Sequence, residues 1–233
     1  MKLSFYLKWA LFFLLITLIA FAPRYWFPLM DSEVYISTTI HWHAFFCTGW
    51  IILFIFQSLL IKKKTYKAHM ISGWMSIIIF IGIIISGVWV SMGLVEKALV
   101  SNPAGAKPSL LINLSDLAIF SVIYVLGILN RNRSLIHKRM MTLATLALLN
   151  AGFFRIGRFI IGPGFQSILL AIIITSCVMA LYVWTEKRKN HGSIRWLKRA
   201  TISIIIIYII RIPIAISSAW TSVADFLIDL FLV

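Results

Sequence analysis

Two histidines, His69 and His137, each lie in a short basic stretch at the start of a long apolar run. At equal depth, two imidazoles on different helices can face each other, which is the arrangement that a six-coordinate haem iron needs. Lys67, Lys138 and Arg139 are placed to pair with the propionates of such a haem. The pattern predicts one haem b at this end of the molecule, and the alternative interpretation is a pair of interfacial histidines that contact lipid phosphates.

A second group of polar residues lies toward the opposite ends of the apolar runs. Its members are His41, His43, Asp116, Asn150, Arg155 and Arg158. On a regular helix His41 and His43 point about 200° apart, so only one of them can take part in a given site. His43 shares a face with Cys47, which favours copper or zinc as one interpretation. The other is a polar cluster in which Asp116 pairs with Arg155, since pairing lowers the cost of both charges in lipid.

Arg211 lies about eleven residues, or roughly 16 Å, from the inner end of the last apolar run. Its guanidinium stays protonated, so at this depth it needs the bundle interior, a carboxylate or an anionic ligand, unless it snorkels to the interface. Asp116 is the only acidic residue predicted deep in a run, and Arg211, Arg155 and Arg158 compete for it. The sequence therefore predicts that at least one arginine is available to an anionic ligand, a propionate or a lipid headgroup.

Seven apolar runs must position these residues. The chain is 61% hydrophobic and 12% charged, whereas soluble domains are about 25% charged. Runs of about 20 apolar residues are long enough to cross roughly 30 Å of hydrocarbon as helices, and their lack of alternation excludes a barrel. The predicted spans are Leu7–Phe21, Thr38–Ile61, Met70–Met92, Leu110–Leu129, Met140–Phe159, Phe165–Trp184 and Ala200–Ala219.

The basic residues set the predicted orientation. The formal net charge is +15, and most lysines and arginines fall in alternate connectors such as Lys62-Lys63-Lys64 and Lys187-Arg188-Lys189. By the positive-inside tendency these connectors are cytoplasmic, which places the N-terminus inside and the C-terminus outside. Because the positive charge is explained by the orientation of the chain in the membrane, it gives no reason to expect a nucleic-acid partner. The short connectors and the charge bias suit a bacterial inner membrane and a single integral membrane domain over residues 1–233.

The second to fifth spans resemble the cytochrome b561 superfamily over roughly Ile40–Ala151. The resemblance lies in His43-Ala44-Phe45-Phe46, Tyr66-Lys67-Ala68-His69 and Ile136-His137-Lys138-Arg139-Met140. It implies a four-helix core over about 38–159, with peripheral helices at about 7–21, 165–184 and 200–219, and an inner haem held by His69 and His137. The fourth helix departs from the family, because Asn113-Leu114-Ser115-Asp116-Leu117 stands where its second outer histidine is expected. The same stretches also resemble uncharacterised bacterial membrane proteins.

The leading functional expectation is a b-type haem membrane protein that transfers electrons, as a membrane oxidoreductase would, from a cytoplasmic or quinol donor. The outer haem of the family would be replaced by a polar, metal or substrate site at His41, His43, Asp116 and Arg155. The first alternative is a non-redox binder or carrier, in which this polar layer and Arg211 hold an anionic lipid or small substrate. The second is an accessory subunit of a larger membrane complex.

Overall fold

The structure, a computed structural model, describes residues 3–31, 33–189 and 192–232. Every regular element in these ranges is a helix, so the predicted all-α class is confirmed. The chain divides into two compact units, one ending at Val90 and the other beginning at Ser91. The division falls inside the third predicted span, and each unit is described by itself below.

The helices have the following bounds. They are α1 (Phe5–Phe21), a π-helical turn (Ala22–Trp26), α2 (Phe27–Leu29), α3 (Thr38–Lys62), α4 (Tyr66–Gly73), α5 (Met75–Ser101), α6 (Pro103–Leu129), α7 (Ser134–Leu148), α8 (Asn150–Ile161), α9 (Phe165–Lys189), α10 (Arg195–Ala215) and α11 (Ser218–Leu232). Within the described residues six segments are long and apolar enough to span a membrane: Phe5–Leu29, Thr38–Lys62, Tyr66–Ser101, Pro103–Leu129, Ser134–Ile161 and Phe165–Lys189. Helices α10 and α11, bent by 84° at their junction, form a seventh if the pair counts as one span.

The first unit begins with an apolar helix that packs on α3. Ser4 caps α1, since its hydroxyl accepts a hydrogen bond from the amide of Leu7 at 3.3 Å and so satisfies one of the four free donors of the first turn. Phe13 of α1 is fully buried and meets Phe54 of α3 edge to face, with ring centroids 5.4 Å apart. Aromatic packing of this kind fixes the two helices side by side.

Two close helix pairs give the second unit its frame. Helices α6 and α7 approach at Gly127, where an added Cβ would lie 3.0 Å from the Sδ of Met141. Helices α8 and α9 approach at Gly157, where an added Cβ would lie 3.2 Å from the carbonyl oxygen of Ser167. The turn at 162–164 between α8 and α9 has glycines at positive φ, a conformation that other residues rarely adopt. Small residues thus let four helices of this unit pack backbone to backbone in pairs.

The last helix, α11, is fastened to the start of α6. The indole Nε1 of Trp220 donates to the carbonyl of Lys107 at 2.8 Å, and the Nζ of Lys107 lies 2.6 Å from the Oδ1 of Asp225. Phe226 and Leu230 on the same helix are exposed. Because α11 is bent by 84° from α10, it lies near the membrane plane if α10 crosses the bilayer, as expected of an amphipathic interfacial helix.

Candidate intramembrane polar site

A buried ion pair joins α6 and α10 in the second unit. The Nη1 of Arg211 lies 2.5 Å from the Oδ1 of Asp116, and the two residues are 3% and 9% exposed. The same nitrogen donates to the hydroxyl of Ser115 at 2.9 Å and to the carbonyl of Ile112 at 3.3 Å. One corner of the guanidinium therefore serves three acceptors, all on α6, and the charge of Asp116 is compensated inside an apolar helix.

Two further helices complete this arrangement. The Nδ2 of Asn150, the first residue of α8, donates to both carboxylate oxygens of Asp116 at 3.2 and 3.0 Å. The hydroxyl of Thr175 on α9 donates in turn to the Oδ1 of Asn150 at 2.9 Å. Both new members are buried. We call Ser115, Asp116, Asn150, Thr175 and Arg211 the central polar cluster.

The second edge of the Arg211 guanidinium is different. Its Nε and Nη2 are buried and have no hydrogen-bond partner in the parts of the chain that the structure describes. The Nε–H and one Nη2–H lie on the same side of the planar group, so together they form a two-pronged donor that matches the oxygens of a carboxylate or phosphate. The ring of Tyr208, with its centroid 4.5 Å from Cζ, covers the face of the guanidinium. A ring in this position provides no hydrogen-bond acceptor for the edge formed by Nε and Nη2.

Helical periodicity explains why polar side chains point into the unit. On α6 the buried residues that follow Asp116 are Ile119, Phe120, Ile123, Tyr124 and Gly127. On α10 the buried residues are Leu197, Thr201, Ile204, Tyr208, Arg211 and Ala215. Spacings of three and four residues put each set on one helical face. Asp116 and Arg211 therefore lie on the inward stripes that the apolar residues of the same helices define.

The structure brings together Arg211 with Asp116 and Asn150 of the second predicted polar group, but the predicted pairing of Asp116 with Arg155 is wrong. The ion pair of Asp116 is with Arg211, whereas the Nη1 of Arg155 donates to the carbonyl of Ala151 at 2.8 Å. Arg155 follows Asn150 by five residues, which turns it about 140° around the helix, so the two do not share a face. Asn150 takes the position next to the carboxylate.

Three members of the site's surroundings were not predicted: Ser115, Thr175 and Tyr208. A signal for Thr175 exists, because the buried residues of α9 recur as Ile172, Thr175, Met179, Tyr182 and Glu186. Arg158 was predicted in the outer layer, and the structure places its Cζ 5.9 Å from the ring centroid of Phe154. This ring neighbour belongs to the same helix, α8.

The two histidines of the predicted haem lie in different units, and each has a contact at Nδ1. The Nδ1 of His137 lies 2.8 Å from the carbonyl oxygen of Gly127, and since a carbonyl only accepts, this nitrogen is the donor. The amide of Gln57 contacts the Nδ1 of His69 and the hydroxyl of Ser72. A hydrogen bond from Nδ1 to a carbonyl is the contact that orients an imidazole for ligation through Nε2. His137 therefore fits an axial ligand.

The basic residues around these histidines divide into two groups. Lys67 is exposed and Lys138 is half-buried. Both degrees of exposure are compatible with a lysine that pairs with a haem propionate at the membrane surface. Arg139 is 3% exposed, and its Nε donates to the Oε1 of Glu186 at 2.7 Å while its Nη1 donates to the carbonyl of Ser193 at 2.6 Å. A carboxylate of the protein thus already binds this guanidinium, and the pairing of Arg139 with a propionate stays a prediction.

The histidines of the first unit are held by neighbouring side chains. The hydroxyl of Ser86 donates to the carbonyl of Gly82 at 2.5 Å, so the Nδ1 of His43, 3.0 Å away, is the donor to Ser86. The Sγ of Cys47 lies 3.5 Å from the other ring nitrogen of His43. The described ranges contain no group of three His, Cys, Asp or Glu side chains that could hold a metal ion. Copper or zinc at His43 and Cys47 stays a prediction.

His41 has a separate neighbour in the same unit. Its Nδ1 lies 3.2 Å from the phenolic oxygen of Tyr25, and their ring centroids are 5.8 Å apart. This contact ties α3 to the π-helical turn that follows α1. Within the first unit, His41 thus has a packing and hydrogen-bonding role, and its assignment as a metal ligand stays a prediction.

No protein-family model, curated protein or solved structure matches this chain. The resemblance to the cytochrome b561 superfamily stays a prediction. The contacts of the second unit give the strongest support for a function, since they place charged side chains at membrane depth. Intramembrane ionisable residues are rare, and they mark binding sites and proton paths when they are not purely structural.

Proposed function

We propose that this membrane protein binds an oxyanion, the carboxylate or phosphate of a lipid or a small solute, at Arg211 in the second unit. The observation that supports this function is the buried guanidinium edge, formed by Nε and Nη2, that finds no acceptor among the described residues. This corresponds to the non-redox binder or carrier rather than to the electron-transfer protein. The ion pair with Asp116 holds the guanidinium in place without occupying that edge.

The energetics favour an occupant with two oxygens. A buried donor left without an acceptor costs about 1–3 kcal/mol, and more when the donor is charged. An oxyanion that accepts from both nitrogens removes that cost and makes two charge-assisted hydrogen bonds. A purely structural pair, which would only join α6 to α10, needs only the contacts of Arg211 Nη1. Ligand binding gives that edge a role.

The test replaces Arg211 by lysine, which keeps the charge beside Asp116 but removes the two-pronged edge. Binding to protein in phosphatidylcholine nanodiscs is measured by calorimetric titration and by the rise in unfolding temperature, which a saturating ligand must cause. Loss of one charge-assisted hydrogen bond, about 1.5–3 kcal/mol, predicts about 10- to 100-fold weaker binding by the R211K variant. R155K is the matched control, since Arg155 is half-buried on α8 and lies outside the cluster.

Four probes distinguish the sources of the oxyanion. Oleate and phosphatidylglycerol present it from the lipid phase, whereas acetate and inorganic phosphate present it from water. Binding of one pair alone identifies the source, and equal weakening by R211K and R155K would assign the effect to the general loss of a guanidinium group rather than to the Arg211 site. If none of the four probes binds to the wild-type protein, the proposed function is wrong.

A second candidate, b-type haem binding, is favoured by one specific contact. The hydrogen bond from the Nδ1 of His137 to the carbonyl of Gly127 fixes the ring in the orientation that ligation of an iron through Nε2 would use. The sequence predicts His69 as the other ligand, within a b561-like four-helix core. It also predicts a bacterial inner-membrane protein whose N-terminus is cytoplasmic. A bound haem would supply one-electron redox chemistry, while Lys67 and Lys138 would provide positive charge for its propionates.

The haem candidate predicts a reduced-minus-oxidised difference spectrum with the α-band of bis-imidazole haem in protein purified from haem-replete cells. Replacing His137 by alanine is expected to abolish the band, because the iron loses an axial ligand. Replacing His41, which contacts Tyr25, is the control and should leave the band unchanged. A wild-type protein without the band would rule out this candidate and leave the oxyanion proposal untouched.

A further inference from the structure

We infer that oxyanion binding at Arg211 is coupled to the uptake of one proton by Asp116. The inference rests on the proposed function, and it adds a chemical condition to it. The cluster holds one fixed positive charge on Arg211 and one carboxylate on Asp116, joined by a single nitrogen at 2.5 Å. These two charges balance each other before any ligand arrives.

The charge balance carries the coupling. An anion that binds to the free edge of Arg211 would leave one net negative charge inside the apolar bundle. Burying an uncompensated charge in a medium of low dielectric constant is strongly unfavourable, and the group that can neutralise does so. Arginine cannot lose its proton, but a carboxylate can gain one. Protonation of Asp116 turns the pair into a neutral acid beside an Arg211–oxyanion pair and restores electrical neutrality.

The groups that face the Asp116 carboxylate come from three helices. From α10 they are Arg211, whose Nη1 donates to Oδ1, and Tyr208, whose ring lies against that guanidinium. From α8 the amide of Asn150 donates to both oxygens, and from α9 Thr175 donates to that amide. Of these groups, Asp116 is the only carboxylate, so it is the one that can neutralise an incoming negative charge.

The other charged groups on the helices packed against α6 lie further along their axes. They are Arg155 and Arg158 on α8, His137, Lys138 and Arg139 on α7, Arg195, Lys198 and Arg199 on α10, and Asp225 and Asp229 on α11. Arg139 pairs with Glu186, and Asp225 pairs with Lys107. The nearest α7 residue precedes Asn150 by eleven positions, which is about 16 Å along a helix. None of them substitutes for Asp116 at the guanidinium.

The hydrogen-bond chain from Asp116 to Thr175 suits both protonation states. In the present arrangement Thr175 donates to the Oδ1 of Asn150, and the Nδ2 of Asn150 donates to the carboxylate. A half-turn of the amide reverses the chain, because Oδ1 then accepts from a protonated Asp116 and Nδ2 donates to the threonine hydroxyl, which accepts as readily as it donates. An asparagine backed by a threonine can therefore stabilise a carboxylate or a carboxylic acid at the same place.

The experiment counts protons during binding. Decanesulfonate is the probe, because it is an oxyanion that stays singly charged near neutral pH and enters from the lipid phase. It is titrated into protein in phosphatidylcholine nanodiscs, in buffers of different ionisation enthalpy, so that the heat of buffer protonation reports the proton count. The wild-type protein should take up about one proton per bound anion, and its affinity should fall by up to about tenfold per pH unit as the pH rises.

The variant D116N separates coupling from binding. It keeps a neutral side chain that still accepts from Arg211, so we expect it to bind the probe with no proton uptake and with an affinity independent of pH. Binding by the wild-type protein without proton uptake, or equal uptake by D116N, would overturn the coupling and leave the proposed function standing. Absence of binding by the wild-type protein to this probe and to the four probes above would instead remove the proposed function.

An infrared difference spectrum keeps the inference testable if D116N does not fold. Addition of decanesulfonate to the wild-type protein should produce the carbonyl band of a newly protonated carboxylic acid, shifted by exchange into heavy water. The same band should appear in a variant of an exposed acidic residue, E96Q. A bound probe with no new carbonyl band would show that the negative charge is compensated elsewhere, and the coupling through Asp116 would be wrong.

Discussion

Replacement of Arg211 by alanine is expected to lower the free energy of unfolding by about 3–5 kcal/mol, the cost of leaving one partner of a buried ion pair without its counter-charge. Among the residues that the structure describes, only the amide of Asn150 would then donate to the carboxylate of Asp116 from another helix. The double variant R211A/D116A removes both charges and leaves a cavity instead of an unpaired ion. We therefore expect the double variant to be more stable than R211A alone, as measured by chemical unfolding in mild detergent.

The pair formed by Lys107 and Asp225 provides the control for this cycle. Its side chains are 28% and 50% exposed, and exposed ion pairs contribute only about 0–1 kcal/mol. K107A should therefore change the stability far less than R211A, although both variants remove one partner of an ion pair. If the effects of R211A and D116A on the free energy of unfolding simply add in the double variant, the two residues do not interact in the folded protein. The ion pair at the centre of the polar cluster would then be wrong.

Much of the fold could be predicted from the sequence because the bilayer imposes a length. Apolar runs of about 20 residues have one helical solution in lipid, and the first six predicted runs lie within the helical segments that the structure shows. The seventh, Ala200–Ala219, crosses the bend of 84° between α10 and α11. The sequence does not show where helices break inside a run. Helix α7 ends at Leu148 and α8 begins at Asn150, the residue that donates to Asp116.

The partner of Asp116 could be narrowed to three arginines but not to one. Arg155 lies on the same helix as Asn150, which contacts Asp116. Arg211 comes from another helix and follows Asp116 by 95 residues in the chain. Only the packing of α10 against α6 selects between them. The pattern on α10, in which Tyr208, Arg211 and Ala215 recur at spacings of three and four with other buried residues, indicates an inward Arg211 without naming the helix that it meets.

The pair of Arg139 and Glu186 was missed for a different reason. Both residues lie in basic stretches, and the predicted sixth span ends at Trp184, so Glu186 counted as a connector residue. Helix α9 continues to Lys189, which puts Glu186 on the same buried stripe as Met179 and Tyr182. An acidic residue that continues the three-and-four spacing of a buried stripe is a signal that the helix extends beyond its apolar part.

Replacement of Glu186 by alanine is expected to destabilise the second unit by about 3–5 kcal/mol, because Arg139 would be left buried without its carboxylate. Glu186 is fully buried, and the same arginine also donates to the carbonyl of Ser193, just before α10, at 2.6 Å. The loss should appear in the unfolding free energy in mild detergent and as faster proteolysis of the connector between α9 and α10.

The exposed Glu96 of α5 supplies the matched control for E186A. Surface substitutions of this kind usually change the stability by no more than about 0.5 kcal/mol, so E96A should resemble the wild-type protein. The apolar double variant R139M/E186L should recover most of the stability that E186A loses, since two well-packed apolar side chains replace two buried charges at little net cost. A double variant no more stable than E186A would mean that Arg139 and Glu186 act through contacts other than their mutual ion pair. Recovery would show that the stability lost in E186A comes from the uncompensated buried charge of Arg139.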